Sequence, residues 1–438
     1  SSFSKQPAGS LPLCSAVTAV TTHSYLCMRC AVWVSVAFTS LASALSRAQP
    51  KPFRASEIKA RLRRLGVSTE GCFEKEELYR LLLERAPEAS GVGHCVPLEL
   101  LQAARGAMGA GVTVDSKRYV GIRLASADDA SVADPRLLML LDSAASNSLL
   151  TPAAARLLGA RPTGVRATAD TGTAVGLGGF EQVDLGEVAL PGGLACGRLA
   201  PVVMDLPLER PSGGGECGLL GLDFLSRFEV ELCLRPLLPT ASFYPLGSAA
   251  DGAAEKGKGS AALPTDGLSC LPLERLQSGL IATRVELTAP PASPSSPPPP
   301  PARALAIVDL GSSTTVANPA AASAAGFDLS RGDPRVAATD QVLAGATGVP
   351  VRVSEATATL GLGGAPAGLF GSADAPSRVR RETTLAIADL PVFDALGLGD
   401  APAMVLGLDV IAPGLDEGEG SRVVLAAGAG RMWVDRDR

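Results

Sequence analysis

At 438 residues the chain has room for two or three domains, and 46% hydrophobic with 19% charged residues marks it as globular. A net charge of -5 argues against nucleic acid as the main partner, and two histidines, His23 and His94, leave little for a multi-histidine metal site or a Ser-His-Asp triad. Aromatic residues are scarce at 4%, so the core must be built from Leu, Val and Ala.

No acidic residue precedes Glu57. Within that stretch "MRCAVWVSVAFTSLASALSRAQP" begins at Met28, with one basic residue, an apolar run from Cys30 to about Leu41, and then Ala42-Ser43-Ala44. That order is the order of a secretory signal peptide, so residues 1–44 are expected to form a leader, with residues 1–27 upstream of a start at Met28. The mature chain is then expected to begin near Leu45. The run is shorter than the ~20 residues a membrane span needs, so no stable anchor is expected. A Ser/Ala-rich transit peptide is the alternative. The expected destination is the secretory pathway (secreted or lumenal), or a plastid reached through it. Cys14, Cys27 and Cys30 fall in the leader; Cys72, Cys95, Cys196, Cys217, Cys233 and Cys270 permit disulfides there, with no spacing that dictates a pairing.

Residues 53–88 carry helical periodicity. Ile58, Leu62 and Leu65 form one apolar stripe, stopped by Gly66, and Leu78, Leu81 and Leu82 form a second, ended by Pro87. This hairpin resembles a SAP-like motif, whose turn glycine is matched by Gly71 and whose following basic position is matched by Lys75. The resemblance implies DNA binding through Lys59, Arg61, Arg63 and Arg64; in a secreted chain a small docking or spacer module is the plainer reading.

From about residue 110 the pattern changes to short apolar strands between glycine-rich turns, which predicts an all-β region. It repeats internally. "YVGIRLA", a polar loop and "LLMLLDSAASNSLLTPAAARLLGA" are followed later by "LIATRVELTA", a proline-rich loop and "ALAIVDLGSSTTVANPAAASAAGF". Each half closes on a related phrase, "GLLGLDFLSRFEVEL" and then "MVLGLDVIAPGL". The expected division is one lobe over 110–247, a flexible linker over 248–267 and a second lobe over 268–438. The tract "APPASPSSPPPPPAR", residues 289–303, falls inside the second lobe's hairpin as an insertion over 289–302. It reads as an exposed polyproline-type segment, with recognition by an SH3-type domain as the alternative.

Each half thus places one aspartate, Asp142 or Asp309, at the end of an apolar strand. A single buried carboxylate costs several kcal/mol or takes up a proton. If the halves pack about a pseudo-twofold the two strand ends meet. Two adjoining carboxyls then share one proton and titrate as a unit.

At these residues the chain resembles the aspartic peptidases, as two retropepsin-like lobes in one chain. The family's hydrophobic-hydrophobic-Asp-Thr/Ser-Gly stretch stands as Leu140-Leu141-Asp142-Ser143-Ala144-Ala145-Ser146 and Ile307-Val308-Asp309-Leu310-Gly311-Ser312-Ser313. Its later hydrophobic-hydrophobic-Gly matches Leu219-Leu220-Gly221 and Val405-Leu406-Gly407. The resemblance covers residues 115–438 and implies two tandem retropepsin-like β-barrel lobes related by a pseudo-twofold. It also implies a polypeptide substrate, no cofactor or metal, a monomer, and Asp142 and Asp309 as the catalytic pair. Ser143, Ser146, Gly311, Ser312 and Ser313 would support that pair, with Gly221 and Gly407 as close-packed glycines and Gly345 and Gly348 in a flap turn. Acidic pH is expected to favour the singly protonated pair.

Two positions depart from the pattern. Ala144 stands where the family has glycine, and Leu310 stands where it has a hydroxyl that bonds across the lobes. A lost cross-lobe bond costs on the order of 1 kcal/mol. The competing expectation is therefore a binding or scaffold protein that keeps the fold and loses efficient catalysis. Asp223 and Asp409, in the two "GLD" phrases, read as structural turn or strand-end residues.

Overall fold

The computed structural model describes residues 59, 93–102, 118–126, 133–171, 174–206, 217–235, 238–248, 263, 265–344, 350–363, 379–417 and 420–436. The expected leader, the helical hairpin apart from Lys59, and most of the linker lie outside these residues. Among the described residues no helix is long and apolar enough to cross a membrane.

The first series of strands is β1 (His94–Gln102), β2 (Arg118–Ser126), β3 (Ala133–Leu141), β4 (Leu149–Leu150), β5 (Arg161–Thr171) and β6 (Ala174–Asp184). It continues with β7 (Glu187–Leu190), β8 (Leu194–Arg198), β9 (Val202–Val203), β10 (Cys217–Leu220), β11 (Glu229–Leu234) and β12 (Thr240–Tyr244). Two helices interrupt it, α1 (Pro152–Leu157) and α2 (Leu222–Leu225). The second series is β13 (Leu268–Pro272), β14 (Glu274–Arg275), β15 (Ile281–Thr288), β16 (Ala302–Val308), β17 (Val316–Ala317) and β18 (Val336–Ala344). After these come β19 (Pro350–Leu362), β20 (Val379–Ile387), β21 (Ala403–Leu406), β22 (Ser421–Ala426) and β23 (Arg431–Asp435). Its helices are α3 (Pro319–Ala324), α4 (Pro391–Ala395), α5 (Leu408–Ile411) and α6 (Gly414–Glu417).

The protein is mostly β. In the second series β15, β16, β21, β17, β20 and β19 pair in that order, and β19 returns to β15 to close a six-stranded barrel. In the first series β2, β3, β10, β4, β9 and β6 pair in sequence, with β5 flanking β6 as β18 flanks β19. A third, antiparallel arrangement runs β13-β23-β22-β11-β12-β1. Its middle pair, β11 with β22, aligns Val230 with Leu425 and Leu232 with Val423, so it joins the two series through backbone hydrogen bonds and buried side chains.

Local chemistry explains why the same order of elements recurs. Thr151 Oγ1 accepts from Ala154 N at 3.1 Å and Asn318 Oδ1 from Ala321 N at 2.8 Å, and each cap is followed by a proline at the first helical position. Both short helices run into a glycine with positive φ, Gly159 at 63° and Gly326 at 102°, which a side chain would strain.

The strands that end in aspartate are buried on both faces. Leu141, Ile307 and Val308 are each no more than 1% exposed. Burying one such side chain contributes roughly 1.5–3 kcal/mol. Several in a row outweigh the cost of carrying a carboxyl inward, particularly when that carboxyl can hold a proton.

Candidate active site

Asp142 follows β3 and Asp309 follows β16. The two loops share the same set of backbone bonds. Asp142 N donates to Leu220 O at 3.1 Å, and Asp309 N to Leu406 O at 3.0 Å. Ala144 N donates to Asp142 Oδ1 at 2.9 Å, and Gly311 N to Asp309 Oδ1 at 2.8 Å. Leu222 N reaches back to Ala145 O and Leu408 N to Ser312 O, both at 2.8 Å. Strands β3 and β10 run parallel with Leu141 beside Leu220, and β16 and β21 likewise with Val308 beside Leu406.

The loops come together and their carboxyls hydrogen-bond to each other. Asp142 is 7% exposed and Asp309 6%, so the pair is nearly dry but keeps an edge toward solvent. Loss of water pushes Asp142 up from an ordinary 3.8 to about 6, against the pull of its bonds from Ala144 N and Asp309. Asp309 is pushed well above the usual carboxylate range, first by burial and then by the negative charge of Asp142. Both carboxyls are thus raised by burial, and the pair holds a proton between them and titrates as a unit.

Ser143 fixes the pair across the junction. Its Oγ donates to Val308 O at 2.8 Å and accepts from Leu310 N at 3.0 Å, so one fully buried hydroxyl ties the first loop to the backbone on both sides of Asp309. Leu310, at the matching position of the second loop, is 1% exposed and joins the apolar core. The exchange is thus one-sided. Ala144 is also fully buried, in a cluster that includes Leu280, Ile307 and Val316. Its counterpart Gly311 has no such room, since a Cβ there would lie 2.8 Å from Asp142 Cγ.

The remaining expected residues serve the loops. Ser312 Oγ donates to Thr314 O at 2.8 Å, Ser313 is buried, and Ser146 is half-buried and accepts from Asn147 Nδ2 at 3.5 Å. Gly221 and Gly407 lie hard under the loops, where a Cβ would come within 2.6 Å of the Asn147 and Thr314 carbonyl carbons. The flap glycines Gly345 and Gly348 are outside the described residues.

Two further pairs hold the loops, and the motif reading did not single out their hydroxyl members. Asp223 Oδ1 accepts from Ser148 N and Oγ, both at 2.7 Å, and Ser148 Oγ accepts from Gly221 N at 3.1 Å. Asp409 accepts from Thr315 N at 2.9 Å and Oγ1 at 2.6 Å, and Thr315 Oγ1 accepts from Gly407 N at 3.0 Å. The available signal was a hydroxyl residue six positions after each strand-end aspartate.

No family model and no curated protein matches the sequence. Among solved structures the chain is similar to conglutin gamma, a basic 7S globulin from lupine seeds. The identity is 11% over 78% of this chain and 96% of that one, with a TM-score of 0.36.

Other nucleophiles and ligand sets stand apart from the pair. Among the described residues Cys95, Cys196 and Cys233 are free thiols. Burial raises Cys95, and pushes Cys196 and Cys233 up to about 11, so these three hold their protons at neutral pH. No group of three or more His, Cys, Asp or Glu among the described residues is placed to hold a metal ion.

Proposed function

We propose that the chain is an aspartic-type endopeptidase built as two retropepsin-like lobes related by a pseudo-twofold. The single observation that carries this reading is the buried, hydrogen-bonded Asp142–Asp309 pair, presented by two loops with the same internal bonds. The matching strand orders on either side of β11 and β22 support the twofold.

In this mechanism a water lies against both carboxyls. Asp142, ionised, accepts a proton from that water as its oxygen attacks the carbonyl carbon of a peptide. Asp309 gives its proton to the carbonyl oxygen, so the oxyanion is quenched as it forms. In the resulting gem-diol, one hydroxyl returns a proton to Asp309 as the C–N bond breaks. The proton held by Asp142 passes to the leaving amine. The bonds from Ala144 N and Gly311 N keep each carboxyl turned toward the partner throughout.

A second reading, a binding protein with little turnover, is favoured by one observation: Leu310 buries an apolar side chain where a second cross-lobe hydroxyl would complete the junction. The two readings separate in one assay. The full chain is incubated with an unfolded protein substrate, alongside the double variant Ala144→Gly with Leu310→Thr. The peptidase reading predicts cleavage by the parent and roughly tenfold faster cleavage by the variant, the equivalent of ~1.4 kcal/mol from one restored hydrogen bond and a tighter loop. If both proteins are folded and inert, the binding-protein reading takes its place.

A further inference from the structure

We propose that the proline tract between β15 and β16 is a docking ligand for a partner domain with an aromatic-lined, PxxP-reading groove of the SH3 kind. Residues 297–301 are five consecutive prolines. Proline fixes its own φ, and a following proline confines ψ to the extended range, so the run is held as a polyproline II helix with three residues per turn.

The exposure of the tract follows that period. Pro297, Pro298, Pro300 and Pro301 are exposed, while Ser293, Ser296 and Pro299 are half-buried and Ala302 is 8% exposed. One row of the three-sided helix, 296-299-302, therefore faces the protein. The rows 297-300 and 298-301 face outward, and these two adjacent rows are what a PxxP groove reads.

The inner row is anchored. Pro299 packs over Gly326, where an added Cβ would lie 2.9 Å from Pro299 Cβ. Before the run, Arg335 Nη1 donates to Pro290 O and Nη2 to Gly326 O, both at 2.6 Å, while the guanidinium lies over the Phe327 ring and is ion-paired with Asp333. Ser293 Oγ and Ser296 Oγ bond to one another at 2.7 Å. A ligand already held in its bound shape loses little further entropy on docking. The tract also lies at the far end of β16 from Asp309, roughly 25 Å away along the strand at ~3.3 Å per residue, so a bound domain leaves the aspartate pair open.

The test is calorimetric titration with a panel of purified SH3 domains, first against a free peptide of residues 290–303 and then against the full chain. Domains that bind the peptide are expected to bind the chain at least as tightly. Pro298→Ala with Pro301→Ala should weaken binding to the chain by roughly tenfold or more, while Pro299→Ala, on the inner row, should change it less than about twofold. Thermal melting of each variant reports that the fold is kept. The proposal is overturned if no domain binds the peptide, if domains that bind the peptide fail to bind the chain, or if Pro299→Ala weakens binding as much as the outer-row change.

Discussion

Replacing Asp142 or Asp309 by asparagine is expected to lower peptide cleavage by about 10²–10⁴-fold, the usual worth of a positioned acid or base. Each substitution keeps the shape of the side chain and leaves one titrating group where two are needed. The same variants should move stability in a direction that a purely structural role would not produce. The folded-state value of Asp142 lies near 6, above the ordinary 3.8, because burial disfavours its charge. Between these values the native state binds more protons than the unfolded one, so stability falls as pH rises from about 4 through 6. The loss for this group is on the order of 3 kcal/mol and is complete above the folded value. Asp309 adds to it in the same direction. Asp142→Asn should therefore be clearly more stable than the parent at pH 7 and differ little from it at pH 3.5. Denaturant melts at the two pH values check this, and equal offsets at both would contradict the shared-proton account.

Gly311→Ala is expected to damage the site as badly as the loss of a carboxyl. The added methyl would stand 2.8 Å from Asp142 Cγ and 3.1 Å from both its Cβ and Oδ1. Asp142 cannot swing aside cheaply, because it is held by Ala144 N and by Asp309. Overpacking of this kind costs about 1–3 kcal/mol of stability. The larger effect is on geometry, since displacement of a reacting group by about 1 Å can cost roughly 100-fold in rate. A fall of that size in kcat/KM, with a melting temperature lowered by several degrees, is the expected result. Unchanged kcat/KM would mean that the Asp142 position is not what sets the rate.

The meeting of the two strand-end aspartates was legible in the sequence because repeated phrases make weak signals mutually supporting. The strand-end aspartates, the Pro-initiated alanine helices and the two Gly-Leu-Asp phrases each recur in the same order, and the described residues bring the strand-end aspartates into one hydrogen-bonded pair. The role of Ser148 and Thr315 was not legible. A hydroxyl six residues after an aspartate has no meaning until the chain folds it under a glycine supplied from some 70 to 90 residues away. How far each carboxyl is raised was not legible for a related reason: both groups are pushed up by loss of water, and burial of a particular carboxyl depends on packing from both series of strands. Nor could the one-sided exchange at Ser143 be weighed from motifs alone: Leu310 loses a hydroxyl but gains a place in the core.

The most direct measurement of the central claim is the pH dependence of cleavage of an unfolded protein by the full chain between pH 3 and 9, with and without a statine-type transition-state mimic. A pair that loses its first proton near 6 and holds the second well above that reaches its working, singly protonated form only as pH rises through about 6. Cleavage is expected to be blocked by the mimic, to climb through this range and to decline when the second proton is lost. Cleavage that is indifferent to the mimic, or a rate that does not change between pH 4 and 7, would contradict the claim.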